Sequence, residues 1–166
     1  LGDYQGAIVD FNKAIEINPQ YAFAYNNRGL AKDDLGDYQG AIVDFNKAIE
    51  INPQYAFAYN NRGIANDNLE DYSGAISDFN KAIEINPQYA DAYSNRGVTK
   101  SRSGDYQGAI VDFNNAIEIN PQYASAYLNR GVARELVNDL EGACNDWRKA
   151  ADLGLKEPAE WMKQKC

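Results

Sequence analysis

The apolar positions of this chain fall into two alternating kinds of stretch. From residue 38, YQGAIVDFNKAIEI places Ala41, Ile42, Phe45, Ala48 and Ile49 at helical steps, forming one apolar stripe. Before it, AFAYNNRGLAKDDL keeps small or apolar residues (Ala22, Tyr25, Gly29) at helical spacing as well. Gly36 stops the first stretch, and Asp37 is a good N-cap for the second. Aspartate recurs at that place in every copy, as Asp3, Asp37, Asp71, Asp105 and Asp139. The second stretch ends at Asn52-Pro53, because a residue before proline avoids the helical region. The pattern predicts two antiparallel helices joined by short turns.

That pair recurs. The string GDYQGAIVDFNKAIEINPQYAFAYNNRG occupies residues 2–29 and returns unchanged at 36–63, an offset of 34 residues, with weaker copies through residue 157. A strict period of this length marks a stack of small units, none of which can bury its apolar stripe alone. The expected organisation is a second helix of an incomplete repeat at 1–21, repeats at 22–55, 56–89, 90–123 and 124–157, and a capping helix at 158–166, all in one solenoid domain. Pro158 opens the capping helix, and Trp161 takes the place of the repeat tyrosine. Because Leu1 falls inside a repeat, the chain reads as a fragment of something longer. Two glycine series, at Gly29 and Gly40, sit inside predicted helices. Each glycine costs about 0.5–1 kcal/mol against alanine, so both series are expected to serve close helix–helix approach.

These residues resemble the tetratricopeptide repeat family, whose pattern is W-x2-L-G-x2-Y…A-x3-F…P. Counted from Ala22, Tyr25 stands at place four, Gly29 at eight, Ala41 at twenty, Phe45 at twenty-four, Ala48 at twenty-seven and Pro53 at thirty-two. Gly63, Gly97 and Gly131, then Ala75, Ala109 and Ala143, then Phe79, Phe113 and Trp147, continue the columns. Two places depart from the pattern. Arginine replaces the family leucine (Arg28, Arg62, Arg96, Arg130), and the family tyrosine becomes Lys32, Asn66, Lys100 and Arg134. The resemblance implies an all-α, right-handed α-solenoid of antiparallel helix pairs whose first helices line a concave groove.

Composition narrows the chemistry. There is no histidine, so histidine-based catalysis and histidine metal sites are excluded. The net charge of −8 argues against nucleic acid and against anionic membrane surfaces. No run of eighteen apolar residues is present. No nucleophile–base constellation, phosphate loop or metal cluster appears, so no enzyme activity, cofactor or metal is expected. Two cysteines, Cys144 and Cys166, are too few for a disulfide framework. A reducing, cytoplasmic setting is the default, with two unlinked thiols expected and a disulfide as the alternative.

The leading candidate for function is an asparagine column, Asn27, Asn61, Asn95 and Asn129. A carboxamide both donates and accepts, so a row of them can pair with an extended peptide main chain. The column is similar to the groove of the O-linked N-acetylglucosamine transferase repeats, where asparagines at this place hold peptide backbone. Local bonding within the helix is the plainer alternative. Around the column the groove is expected to gather Phe23, Asn26, Leu30, Asp33 and Asp34, then Phe57, Asn60, Ile64, Asp67 and Asn68. The later copies offer Asp91, Ser94, Val98, Ser101 and Arg102, then Ser125, Leu128, Val132, Glu135 and Leu136. The amino-terminal half reads as acidic with two phenylalanines, and the other half as more apolar. The family's lysine clamp for chaperone tails has no counterpart, since places two and five carry no lysine.

The arginines invite a structural reading. Arg28 and Asp44, Arg62 and Asp78, Arg96 and Asp112, and Arg130 and Asp146 stand at similar heights on paired helices. A bidentate ladder is expected, with Asp10 as another partner for Arg28 and anion binding as the functional alternative. The tyrosine columns are expected to pack between helices. Taken together, the sequence predicts a protein-interaction module holding an extended partner with basic and apolar side chains. The alternative is a self-associating array that stacks through its uncovered amino-terminal edge.

Overall fold

The computed structural model describes residues 3–156 and 165–166. Among the described residues the regular elements are nine helices: α1 (Tyr4–Ile17), α2 (Ala22–Asp34), α3 (Tyr38–Ile51), α4 (Ala56–Asn68), α5 (Tyr72–Ile85), α6 (Ala90–Arg102), α7 (Tyr106–Ile119), α8 (Ala124–Leu136) and α9 (Leu140–Asp152). The helices group into two compact units, Leu1–Pro87 with α1 to α5 and Gln88–Cys166 with α6 to α9. Contacts in a repeat chain run only between neighbouring copies, which allows such a division.

Local chemistry fixes the helix ends. Asp37 accepts a hydrogen bond from the Gly40 N–H at 2.9 Å, and Asp3, Asp71, Asp105 and Asp139 cap α1, α5, α7 and α9 in the same way. At the other end Asn52 is extended, with φ −131°, and its side chain accepts from the Gln54 N–H at 3.1 Å. The turn between paired helices needs one left-handed residue. Gly36 (φ +80°) and Gly104 (φ +90°) supply it, whereas Glu70 (φ +63°) and Asn138 (φ +66°) adopt it against their side chains.

Packing within each pair runs through the glycine of the first helix. The Phe45 ring lies 2.6 Å from where a Cβ on Gly29 would be, and Phe79 stands in the same relation to Gly63 at 2.7 Å. Phe45, Phe79, Phe113 and Trp147 are fully buried among alanines such as Ala41, Ala48 and Ala24. Burial of each ring contributes roughly 1.5–3 kcal/mol. The Gly40 series plays another part. The space beside Gly40 holds the Asp37 capping carboxylate, not a neighbouring helix, so the expectation of close helix approach fails at that series. Substituting it requires only that an exposed side chain swing aside.

The termini differ from the repeats between them. No residue of α1 is fully buried, and Ile17 at its end is 86% exposed. The helix expected over 158–166 lies outside the described residues, except for its last two. Those two are anchored. Cys166 is disulfide-bonded to Cys144 of α9, with Cα atoms 5.9 Å apart, in place of the two unlinked thiols expected. Lys165 pairs with Glu135 of α8, and its Nζ sits 5.8 Å from the centre of the Trp147 ring. These contacts bring residue 166 back within disulfide range of α9. Among the described residues no helix is long and apolar enough to cross a membrane.

Candidate binding surface

Each helix pair is clasped by a buried aspartate. Arg28 Nε and Nη2 donate to the two carboxylate oxygens of Asp44 at 2.9 and 2.5 Å. Arg62 meets Asp78, Arg96 meets Asp112, and Arg130 meets Asp146 with the same two-point geometry. Asp10 pairs instead with Lys13 on its own helix. The hydrogen bonds to Asp44 and Asp78 raise the pKa of Arg28 and Arg62 further, against burial, which lowers it.

Two further sets of partners escape a reading of the family pattern. Lys32 reaches Asp44 at 2.7 Å, Asn66 reaches Asp78 at 3.0 Å, Lys100 reaches Asp112 at 2.9 Å and Arg134 reaches Asp146 at 2.8 Å. Every residue at this place can donate a hydrogen bond, which is the signal the sequence held. The remaining arginine nitrogen, Nη1, bonds asparagine on the preceding second helix: Arg28 to Asn12, Arg62 to Asn46 and Arg130 to Asn114. Asn12, Asn46 and Asn114 recur at the period. One guanidinium thereby ties two second helices together. The arginines are committed to this framework, which leaves them little capacity for a bound anion.

The first helices of the first unit form a different surface. A hollow of about 410 Å³ is lined by Phe23, Asn26, Asn27, Leu30, Tyr55, Phe57 and Asn61. Phe23 and Phe57 are 51% and 53% exposed. Their rings lie beside Tyr21 and Tyr55, with centroids 5.7 and 6.2 Å apart. Burial, followed by the neighbouring Tyr21, pushes the Tyr55 phenol up from its ordinary pKa.

The carboxamides here are already engaged within the protein. Asn27 Nδ2 donates to the Phe23 carbonyl at 2.8 Å. Asn61 Nδ2 donates to Asn26 Oδ1 at 3.0 Å, joining α4 to α2, and Asn60 Nδ2 approaches Asn61 Oδ1 at 3.4 Å. Asn26 and Asn60 are only 4% exposed, so Asn26 floors the hollow and Asn60 is buried. Asn27, Asn61 and Ile64 are half-buried, and Leu30 is exposed.

The acidic residues do not form the open face that the sequence suggests. Asp67 is buried. Asp33 is half-buried, and its Oδ1 is buried without a hydrogen-bond partner. Burial, and then the charge of Asp34, push the Asp33 carboxyl up from the usual range.

In the second unit the same positions carry polar chemistry. Tyr123 Oη donates to Asp91 Oδ1 at 2.7 Å. Burial first, then this bond, push the Tyr123 phenol up to about 12. Asp91 is exposed, Ser94 is buried, and Asn95 and Asn129 are half-buried. Among the described residues no cluster of three or more acidic or cysteine side chains could hold a metal ion.

The comparisons with known proteins agree on one class. The family model described as Tetratricopeptide repeat matches residues 22–55 and 56–89, and a second of that description matches 79–111. A third, described as TPR repeat, matches residues 1–32 and 101–136. No curated protein matches the sequence. Among solved structures the chain is similar to MamA at 29% identity, with TM-score 0.82 over 92% of this chain and 89% of that one. It is similar to MamA of Desulfovibrio magneticus RS-1 at 20% identity, with TM-score 0.81 over 92% of this chain and 86% of that one. PilF of Pseudomonas aeruginosa is 20% identical, with TM-score 0.86 over 93% of this chain and 71% of that one. The last two likenesses concern the fold alone.

Proposed function

Because the chain belongs to the tetratricopeptide repeat family, an all-α solenoid class of protein-interaction scaffolds, we propose that its first unit holds an extended segment of another protein against α2 and α4. The observation that carries this reading is the open hollow flanked by two half-exposed phenylalanines. Large rings held outward by neighbouring tyrosines, above a floor of carboxamides, suit an apolar anchor residue with a hydrogen-bonded main chain. The carboxamides act chiefly as acceptors. Asn27 spends its amide on Phe23 and Asn61 spends its own on Asn26, leaving side-chain oxygens for the N–H groups of a partner. The matched family is one of interaction modules, and no catalytic family is indicated.

The reading is tested by selecting ligands from a peptide array and titrating them by fluorescence anisotropy. Phe57→Ala or Asn27→Ala should weaken capture about tenfold, roughly 1.4 kcal/mol, while the helical melt is unchanged. An unchanged affinity in both variants contradicts the proposal.

A further inference from the structure

We propose that the Cys144–Cys166 disulfide is a reducible latch. Closed, it holds Lys165 against α8 and α9. Opened by a dithiol, it frees that contact and loosens the last helix pair. The groove of the first unit plays no part in it.

The last copy differs from the others in what meets its buried ring. Phe45 clusters with Ala65 of α4, and Phe113 with Ala126 and Ala133 of α8, so each ring is met by the first helix of the next copy. Trp147 of α9 is just as fully buried. The described residue that follows α9 and meets its ring is Lys165, whose Nζ lies 5.8 Å from the ring centre.

Two bonds keep Lys165 in place. Its ammonium pairs with Glu135 of α8, and the next residue, Cys166, is joined to Cys144 across a separation of 22 residues. Lys165 and Glu135 keep 42% and 32% of their side-chain surface exposed, and an ion pair so open to water contributes little alone. The covalent bond therefore carries the attachment, chiefly by limiting the freedom of the segment it closes. Cys144 stands on α9 between Ala143 and Asp146, both buried. Asp146 is the residue that Arg130 and Arg134 of α8 clasp. The latch thus bears on the part of α9 that binds it to α8.

The bond is open to exchange, because Cys166 is exposed while Cys144 is half-buried. A thiolate of a dithiol attacks the Cys166 sulfur. The sulfur–sulfur bond breaks, and its electron pair leaves on Cys144, which takes up a proton. The second thiolate of the reductant then attacks the mixed disulfide and releases Cys166 as a thiol. Two electrons and two protons pass to the cysteines, and the dithiol closes to its own disulfide.

The test adds dithiothreitol to the intact chain under native conditions. Mass after alkylation should show no reactive thiol before the reductant and both cysteines modified after it. Amide hydrogen exchange should then quicken about tenfold in α8 and α9 and stay as it was in α2 and α4. Cys144→Ser with Cys166→Ser should show the quickened exchange without reductant and no further change with it. Glu135→Gln should lower the dithiothreitol concentration that half-reduces the bond about threefold, because the ion pair favours the closed form.

Free thiols before reduction, or a disulfide that dithiothreitol leaves intact in the folded chain, overturn the latch. So does exchange in α8 and α9 that is the same in both redox states, or that quickens equally in α2 and α4.

Discussion

The first helices of the two units share a backbone and a clasp and differ in what they present. α2 and α4 carry Phe23 and Phe57 beside Tyr21 and Tyr55, ring against ring. α6 and α8 carry Asp91 and Ser125 at the same place, and Tyr123 donates back to Asp91 of the preceding repeat. Both units keep the arginine–aspartate clasp and the fully buried aromatic of the second helix. The difference teaches that the repeated columns build the scaffold, and that recognition belongs to the columns that change. Place two changes from phenylalanine to aspartate and serine, and with it the surface turns from aromatic to polar.

The largest effect expected from disturbing this comparison lies in the clasp. Asp112 answers two cations, Arg96 and Lys100, whereas Asp78 answers Arg62 and the neutral Asn66. Removing a buried carboxylate strands its partners, at a cost of about 3–5 kcal/mol. Urea unfolding should show Asp112→Ala as more damaging than Asp78→Ala, because it leaves two charges unanswered. Equal losses would mean that the second donor contributes little.

Smaller effects follow at the glycines. Gly63→Ala drives a Cβ into the buried Phe79 ring, and overpacking of this kind costs about 1–3 kcal/mol. Gly74→Ala meets first the flexible Asp71 capping carboxylate and should cost less than half as much in the same unfolding experiment.

The turns give an exchange between units of about 1 kcal/mol. Glu70→Gly should stabilise the first unit, since Glu70 holds φ +63° with a side chain in place. Gly104→Glu should destabilise the second unit by a similar amount, because Gly104 holds φ +90°. Thermal melts of the two variants should therefore move in opposite directions.

The smallest effect concerns Tyr123. Its phenol is pushed up to about 12, so the folded chain keeps the proton longer than an unfolded one would. The stability this contributes is fully present below the ordinary tyrosine pKa of about 10 and is lost as pH rises through about 12. Asp91→Asn should bring the phenol down in a spectrophotometric titration, and an unmoved titration would assign the shift to burial alone.

Much of the architecture was legible because the chain repeats its own signals. The Asp37 and Asn52-Pro53 columns mark where α3 begins and ends, and the Phe45 stripe marks its buried face. The columns of Arg28 and Asp44 set a forked donor opposite a forked acceptor at every copy. Other features were hidden for physical reasons. Gly40 and Gly29 look alike in sequence, yet one lies beside its own cap and the other beside a ring on the partner helix. Lys32 reads only as a departure from the family tyrosine until the hairpin brings it to Asp44. Asp33 and Asp67 read as one acidic row, but their burial depends on neighbours that a sequence does not locate. The Asn61 to Asn26 bond joins residues 35 apart and arises only once α2 and α4 lie side by side.

The central claim concerns the place where a partner sits, and a crystal structure of the chain with a peptide selected from the array tests it most directly. The account predicts continuous main-chain density across α2 and α4, within hydrogen-bond reach of the Asn27 and Asn61 side-chain oxygens, with apolar side chains toward Phe23 and Phe57. Peptide density in the hollow lined by Tyr25, Arg28 and Lys47, or along α6 and α8 alone, would contradict it.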